Sequence, residues 1–240
     1  KRDKAPTLND EQQQVVEAIC AAPGFAQHLV FGITGSGKTE VYLQAIERLL
    51  SAGKQALVLV PEIALTPQMV QRFAARFGDA IAVLHSALAP GARRAAWHRA
   101  RRGEAAVVIG ARSAVFASMP HLGLIVVDEE HDSSYKQSDG LRYQARDLAI
   151  YRAQKEAIPV VLGSATPSLE SYHRSMTGEH NTQLHRLKTR ATGAELPPVQ
   201  IVDLRGAGAD QYPLSNTLCK LIEETLARKE QVMLLLNRRG

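Results

Sequence analysis

The chain has 240 residues, 45% of them hydrophobic, 22% charged and 5% aromatic. This balance excludes wholesale disorder, and no apolar run approaches the ~18 residues that a bilayer span needs. The formal charge of +5 permits a nucleic-acid partner without demanding one, while two distant cysteines, Cys20 and Cys219, exclude a disulfide framework or a cysteine-rich zinc site and point to a reducing cytoplasm.

In chain order, short β-branched runs alternate with longer amphipathic stretches. Residues 11–21 read as a helix and 29–31 as a strand. The strand leads into Gly32-Ile33-Thr34-Gly35-Ser36-Gly37-Lys38-Thr39, a P-loop, with a helix expected over 38–51. The glycines let the backbone wrap closely around phosphates, and the helix N-terminus adds partial positive charge. Lys38 suits the β- and γ-phosphates of a nucleotide, and the Thr39 hydroxyl suits Mg²⁺. A strand at 56–60, a helix at 66–77 and a strand at 81–84 come next. The helix expected over 90–102 carries Arg93, Arg94, Arg99, Arg101 and Arg102 around Trp97. This cluster reads equally well as a solvated face or as a track for a DNA backbone.

After a strand at 106–109, the apolar run 122–127 ends in Asp128-Glu129-Glu130-His131, a Walker B arrangement. Asp128 is placed to hold Mg²⁺ through its water shell, and Glu129 to orient and polarise an attacking water. The segment 134–147 mixes Tyr135, Lys136, Arg142, Tyr143 and Arg146 with polar residues. Such a mixture suits base stacking and phosphate contact, with Tyr143 equally suited to packing. A helix at 145–156 and a strand at 159–162 precede Gly163-Ser164-Ala165-Thr166. The Ser164 and Thr166 hydroxyls can sense a γ-phosphate, although both residue types are also ordinary turn and cap residues. Residues 175–198 read as a linker or edge segment, followed by a strand at 199–204, a helix at 214–229 and a strand at 232–236. The continuous apolar runs imply a mostly parallel sheet covered on both faces, with the chemistry at the carboxyl ends of its strands. The fold class is α/β.

Taken together, the P-loop, the Asp-Glu-Glu-His box and the Ser-Ala-Thr turn resemble the first RecA-like lobe of a superfamily 2 helicase. The stretches 32–40, 61–68, 128–132 and 134–137, with Leu-Asn-Arg-Arg-Gly at 236–240, are similar to the PriA family of replication-restart helicases (primosomal protein N′). The resemblance implies a first lobe over 1–175, a linker over 176–198 and the start of a second lobe over 199–240, within a longer protein. It implies that Gln12, in a Q-motif-like stretch, reads the adenine of ATP, although Asn9 or Asp10 there also reads simply as a helix cap. Pro61 and Thr66, and Arg112 and Ser113, then fall in loops that hold a single DNA strand, while His131, Ser164, Thr166 and the 134–147 loop couple hydrolysis to DNA binding.

The implied cofactors are ATP and Mg²⁺, with zinc expected only in a downstream segment. The implied activity is 3′ to 5′ unwinding in a bacterial, nucleoid-associated protein. Its implied partners are single-stranded and forked DNA, single-strand-binding protein and primosome proteins, with no membrane. The arginine finger belongs to the second lobe, so weak hydrolysis is expected of this chain. A nucleotide-dependent binding switch and a P-loop transferase are the competing readings.

Overall fold

The computed structural model describes residues 5–190, 198–205 and 214–235. The chain divides into two units, 1–194 and 195–240. In the first unit seven strands form one all-parallel sheet: β1 (Gln27–Gly32), β2 (Gln55–Leu59), β3 (Ile81–Leu84), β4 (Val107–Gly110), β5 (Leu122–Asp128), β8 (Val160–Ser164) and β9 (Thr182–Leu187). Their spatial order is β3-β4-β2-β5-β8-β1-β9. A separate two-stranded ribbon pairs β6 (Lys136–Gln137) with β7 (Tyr143–Gln144).

The strands form because their β-branched and aliphatic side chains find partners on both faces. Leu57, Leu59, Ile125 and Val127 enter one core, while Ala56, Val58, Leu124 and Val126 enter the other. The second core is closed by α1 (Asp10–Ala21), α2 (Lys38–Ser51) and α3 (Pro67–Phe77), through Ile19, Ile46 and Phe73. The first is closed by α4 (Pro90–Arg101) and α5 (Ala145–Glu156). Ala145, Ala149 and Ala153 recur every four residues along α5, which lets its backbone approach the sheet closely. Helix starts obey cap chemistry: Asn9 and Gln12 form a reciprocal capping box on α1, and Thr66 followed by Pro67 opens α3.

Three findings differ from the sequence reading. The expected linker begins within the last turn of α6 (Leu169–Thr177) and contains β9, which pairs with β1 from Gln27↔Thr182 to Gly32↔Leu187. The edge-segment alternative therefore describes 182–187, and the first unit runs past the boundary expected at 175. In the second unit α7 (Asn216–Ala227) forms, opened by a Ser215 cap. The described parts of the two flanking strand expectations, 199–204 and 232–235, take no strand structure. Their apolar side chains stand in solvent, with Ile201 92% and Leu235 96% exposed. A strand persists only where a neighbour completes its hydrogen bonds. The motif expected over 236–240 lies outside the described residues.

Candidate active site

The loop after β1 turns through Gly35 and Gly37, with φ of +82° and +83°. A side chain would be strained at either position. Gly37 caps α2 without a side-chain bond, leaving the first helical N–H groups available to an anion. Gly32 is buried at the end of β1, and Lys38 Nζ donates to its carbonyl at 2.8 Å. The Ser36 hydroxyl is buried with no hydrogen-bond partner among the described residues, a donor suited to a phosphate oxygen. Residues 34–39 line a cavity of about 390 Å³ together with Asp128, Glu129 and Arg72.

Asp128 ends β5 and is 8% exposed. Burial, and next the Glu129 charge, pushes its carboxyl up to about 6. Its Oδ1 accepts from the Tyr42 hydroxyl of α2 at 3.1 Å. That phenol lies where a Cβ at position 163 would sit, so the glycine is required there. The Thr39 hydroxyl and the two carboxylates form a set of hard oxygen donors, and a divalent cation would relieve the crowding of negative charge that raises Asp128. The residues present therefore fit Mg²⁺. Glu129 sits at φ +45°, a left-handed backbone that costs a non-glycine residue of the order of 1–3 kcal/mol and recurs at functional sites.

Three of the residues expected to couple hydrolysis to DNA binding, His131, Ser164 and Thr166, lie together. His131 Nδ1 lies 2.8 Å from Ser164 Oγ and 3.7 Å from Glu129 Oε2, and its Nε2 lies 3.4 Å from Thr166 Oγ1. One imidazole thus links the acid after β5 to the turn after β8.

Other expected contacts are placed differently. Tyr135 is fully buried and donates to the Asp128 carbonyl at 2.6 Å; it supports the acidic loop and is closed to base stacking. Tyr143 packs edge-on against Phe116 with centroids 5.1 Å apart, the packing role named as its alternative. Arg146 is anchored to Glu130 at 3.1 Å and Ser168 at 3.0 Å. Lys136 and Arg142 remain exposed, and line with Tyr143 and Arg146 a cavity of about 660 Å³. Arg112 donates to the carbonyls of Ser134 and Lys136, tying the loop after β4 to the ribbon. Pro61 is buried, and the Thr66 hydroxyl accepts from Met69 N as a helix cap, whereas Ser113 is exposed. Gln12 is 4% exposed. Its amide accepts from Asn9 N at 3.0 Å and donates to the P-loop carbonyl of Ser36 at 2.8 Å, so one N–H and one lone pair remain for an adenine.

Sequence reasoning missed Arg72, Tyr42 and Glu130. Glu130 is fully buried and accepts from Ser168 N, Ser168 Oγ, Ser171 Oγ and Arg146. In a run of three acids nothing in the spacing tells which carboxylate turns inward.

A P-loop and an acid pair in one cavity, at the carboxyl edge of an all-parallel sheet, define a RecA-like P-loop lobe. The chain belongs to the DEAD/DEAH box helicase family, whose model matches residues 9–175. Within it, the chain is similar along its whole length to replication restart protein PriA. It is 48% identical to the Bacillus subtilis protein over 245 residues, covering 100% of this chain and 30% of that relative. It is 50% identical to the Haemophilus influenzae protein over 234 residues, covering 98% and 32%. The chain thus spans about a third of the length of these relatives. Among solved structures, RecG bound to a three-way DNA junction matches with a TM-score of 0.61 at 21% identity, over 93% of this chain and 28% of that one. The Pyrococcus furiosus Hef helicase domain matches with a TM-score of 0.51 at 22% identity, over 72% and 37%. These two likenesses establish the fold. Among the described residues no helix is long and apolar enough to cross a membrane.

Proposed function

We propose that this chain is the ATP-binding lobe of a replication-restart DNA helicase, coupling ATP hydrolysis to movement along single-stranded DNA and to 3′ to 5′ unwinding of forks. The observation that carries the reading is the imidazole of His131, which touches Ser164 and stands beside Glu129 at the rim of the P-loop cavity. A site built for phosphate binding alone has no need of such a link.

In this reading Lys38 exchanges the Gly32 carbonyl for terminal phosphate oxygens, and the P-loop N–H groups and the Ser36 hydroxyl hold the rest. Thr39 and Asp128 hold Mg²⁺, which when bound neutralises phosphoryl charge. Glu129 orients the attacking water and accepts its proton. Gln12 turns its remaining amide valences to the adenine, and its hold on Ser36 makes the P-loop conformation sensitive to that contact. His131 carries the state of the phosphate site to Ser164 and Thr166. Ser113, Lys136 and Arg142 meet the DNA, with Arg112 positioning the loop between them. The second lobe, from 199 onward, is expected to bring the arginine finger, worth ~10³–10⁵-fold in related sites, so turnover by these 240 residues alone is slow. Single-strand-binding protein and primosome proteins are the proposed partners, zinc the proposed ligand of a downstream segment, and the bacterial nucleoid the proposed location.

The test is ATP turnover in a chain extended to the length of the relatives, with and without single-stranded DNA. DNA should raise turnover many-fold. Glu129→Gln should lower it at least ~10²-fold while ATP still binds, and Lys38→Ala should weaken binding itself. Turnover indifferent to DNA would overturn the motor reading in favour of a transferase. ATP binding without turnover, unchanged in Glu129→Gln, would favour a nucleotide-dependent switch.

A further inference from the structure

The arginine cluster of 93–102 divides in the structure. Arg99 donates to the carbonyls of Ile81 and Asp79 and fixes α4 to the start of β3. Arg102 is paired with Glu104 at 2.6 Å. Arg93 and Arg94 are exposed, and no hydrogen bond or ion pair among the described residues reaches either guanidinium. Both line a cavity of about 480 Å³ with Trp97, His85, Ser113, Leu84 and Pro90. Among the described residues no carboxylate lines it. The cavity opens beyond the carboxyl ends of β3 and β4, and shares no lining residue with the P-loop cavity. Trp97 is half-buried, held in place by the core beneath α4. Ser113 stands exposed on the short turn Arg112–Phe116, which Arg112 anchors to the ribbon.

A rigid indole, two unpaired guanidiniums and a hydroxyl around a space of ligand size are the parts of a nucleotide subsite: a π-face for the base and cations for its phosphate. We propose that this cavity seats one nucleotide unit of a single strand, with the base against Trp97 and the phosphate between Arg93 and Arg94, next to Ser113. The inference rests on the reading that the lobe binds single-stranded DNA, and it extends the strand path from the loop after β4 to the outer edge of the sheet at β3. The same chemistry would suit a free nucleoside phosphate, and the test separates the two.

Trp97 is the only tryptophan in the chain, so its emission reports on this cavity alone. The 240-residue chain is titrated with dT15 and, separately, with dTMP, reading tryptophan emission together with the anisotropy of labelled dT15. Emission should be quenched by dT15 with the same midpoint as the anisotropy change. The Arg93→Ala, Arg94→Ala double variant, at two exposed positions, should weaken dT15 binding roughly tenfold. It should also flatten the salt dependence of log K by about 0.7 per arginine. Trp97→Ala should weaken binding about tenfold, and the arginine variant keeps the test valid if that truncation fails to fold. If dT15 binds with unchanged emission and the double variant binds as tightly as the parent, the strand-binding reading stands and the subsite is overturned. Equal quenching by dTMP at matched nucleotide concentration would overturn the strand assignment in favour of a free-nucleotide site. No anisotropy change at all would remove the strand-binding reading and this inference with it.

Discussion

Arg72 brings a guanidinium from the exposed face of α3 into the cavity formed by the P-loop and the acids after β5. A cation there would complement the phosphates that Lys38 holds in the proposed function. A hydrogen bond to a charged group contributes about 1.5–3 kcal/mol. Arg72→Ala should therefore weaken ATP binding at least tenfold, measured by calorimetric titration, with an unchanged melting temperature because the side chain supports no packing. Equal affinities would show that Arg72 merely borders the cavity. The motif residues around it were legible because phosphate and Mg²⁺ chemistry demands fixed residue types at fixed spacing. Arg72 was not, since it belongs to no motif and reaches the cavity only through the packing of α3. Tyr135 failed for the opposite reason. An aromatic in a polar loop looks the same whether it awaits a base or, as here, supports the Asp128 carbonyl from inside the core.

Between elements, two contacts decide how the lobe holds its shape. Glu40, one residue beyond Thr39 on α2, pairs with Arg76 of α3 at 2.7 Å, and Arg76 also reaches Glu47 at 3.2 Å. The Glu40 and Arg76 side chains are 10% and 5% exposed. The pair joins the nucleotide-binding helix to the helix after the loop at 61–66. Arg76→Ala would leave the buried Glu40 carboxylate without its cation, with only the Gln44 amide still donating to it at 2.9 Å, and should destabilise the fold by about 3 kcal/mol in denaturant unfolding. A loss below ~1 kcal/mol would mean that water reaches Glu40 readily.

The second contact stacks His28 of β1 on His185 of β9, with ring nitrogens 3.0 Å apart. Burial, and next the His185 charge, lowers His28 to about 4, and burial lowers His185 too. Both rings are thus held neutral in the folded state, while an unfolded chain takes up their protons near pH 6.5. The stability they contribute is present above pH 6.5 and is lost as pH falls from there toward 4. Melting temperature should drop across that window, and the His28→Gln, His185→Gln double variant should flatten that part of the profile. An unaltered profile would place the acid sensitivity elsewhere. The sequence left β9 open between a linker and an edge segment because its edge position gives it one paired neighbour and a mixed run, Thr-Gln-Leu-His-Arg-Leu, instead of a continuous apolar one.

At the scale of the molecule, the parallel sheet brings the loops after β1, β5 and β8 to one edge, which is why the P-loop, the acids and the Ser-Ala-Thr turn meet although they lie far apart in sequence. This much was legible, because continuous apolar runs alternating with amphipathic helices admit few other arrangements. Among the described residues the strands expected in the second unit do not form, since a strand is a property of a pair and no local pattern supplies the partner. The sheet also carries a mechanical consequence at its last strand. β9 is the last described strand of the first unit, and its six residues are all in register with β1. A pull along that strand loads the whole ladder in shear, so its bonds share the force instead of parting one after another. In the proposed motor, tension entering along that strand would therefore reach β1, and the phosphate loop it carries, without peeling the ladder apart.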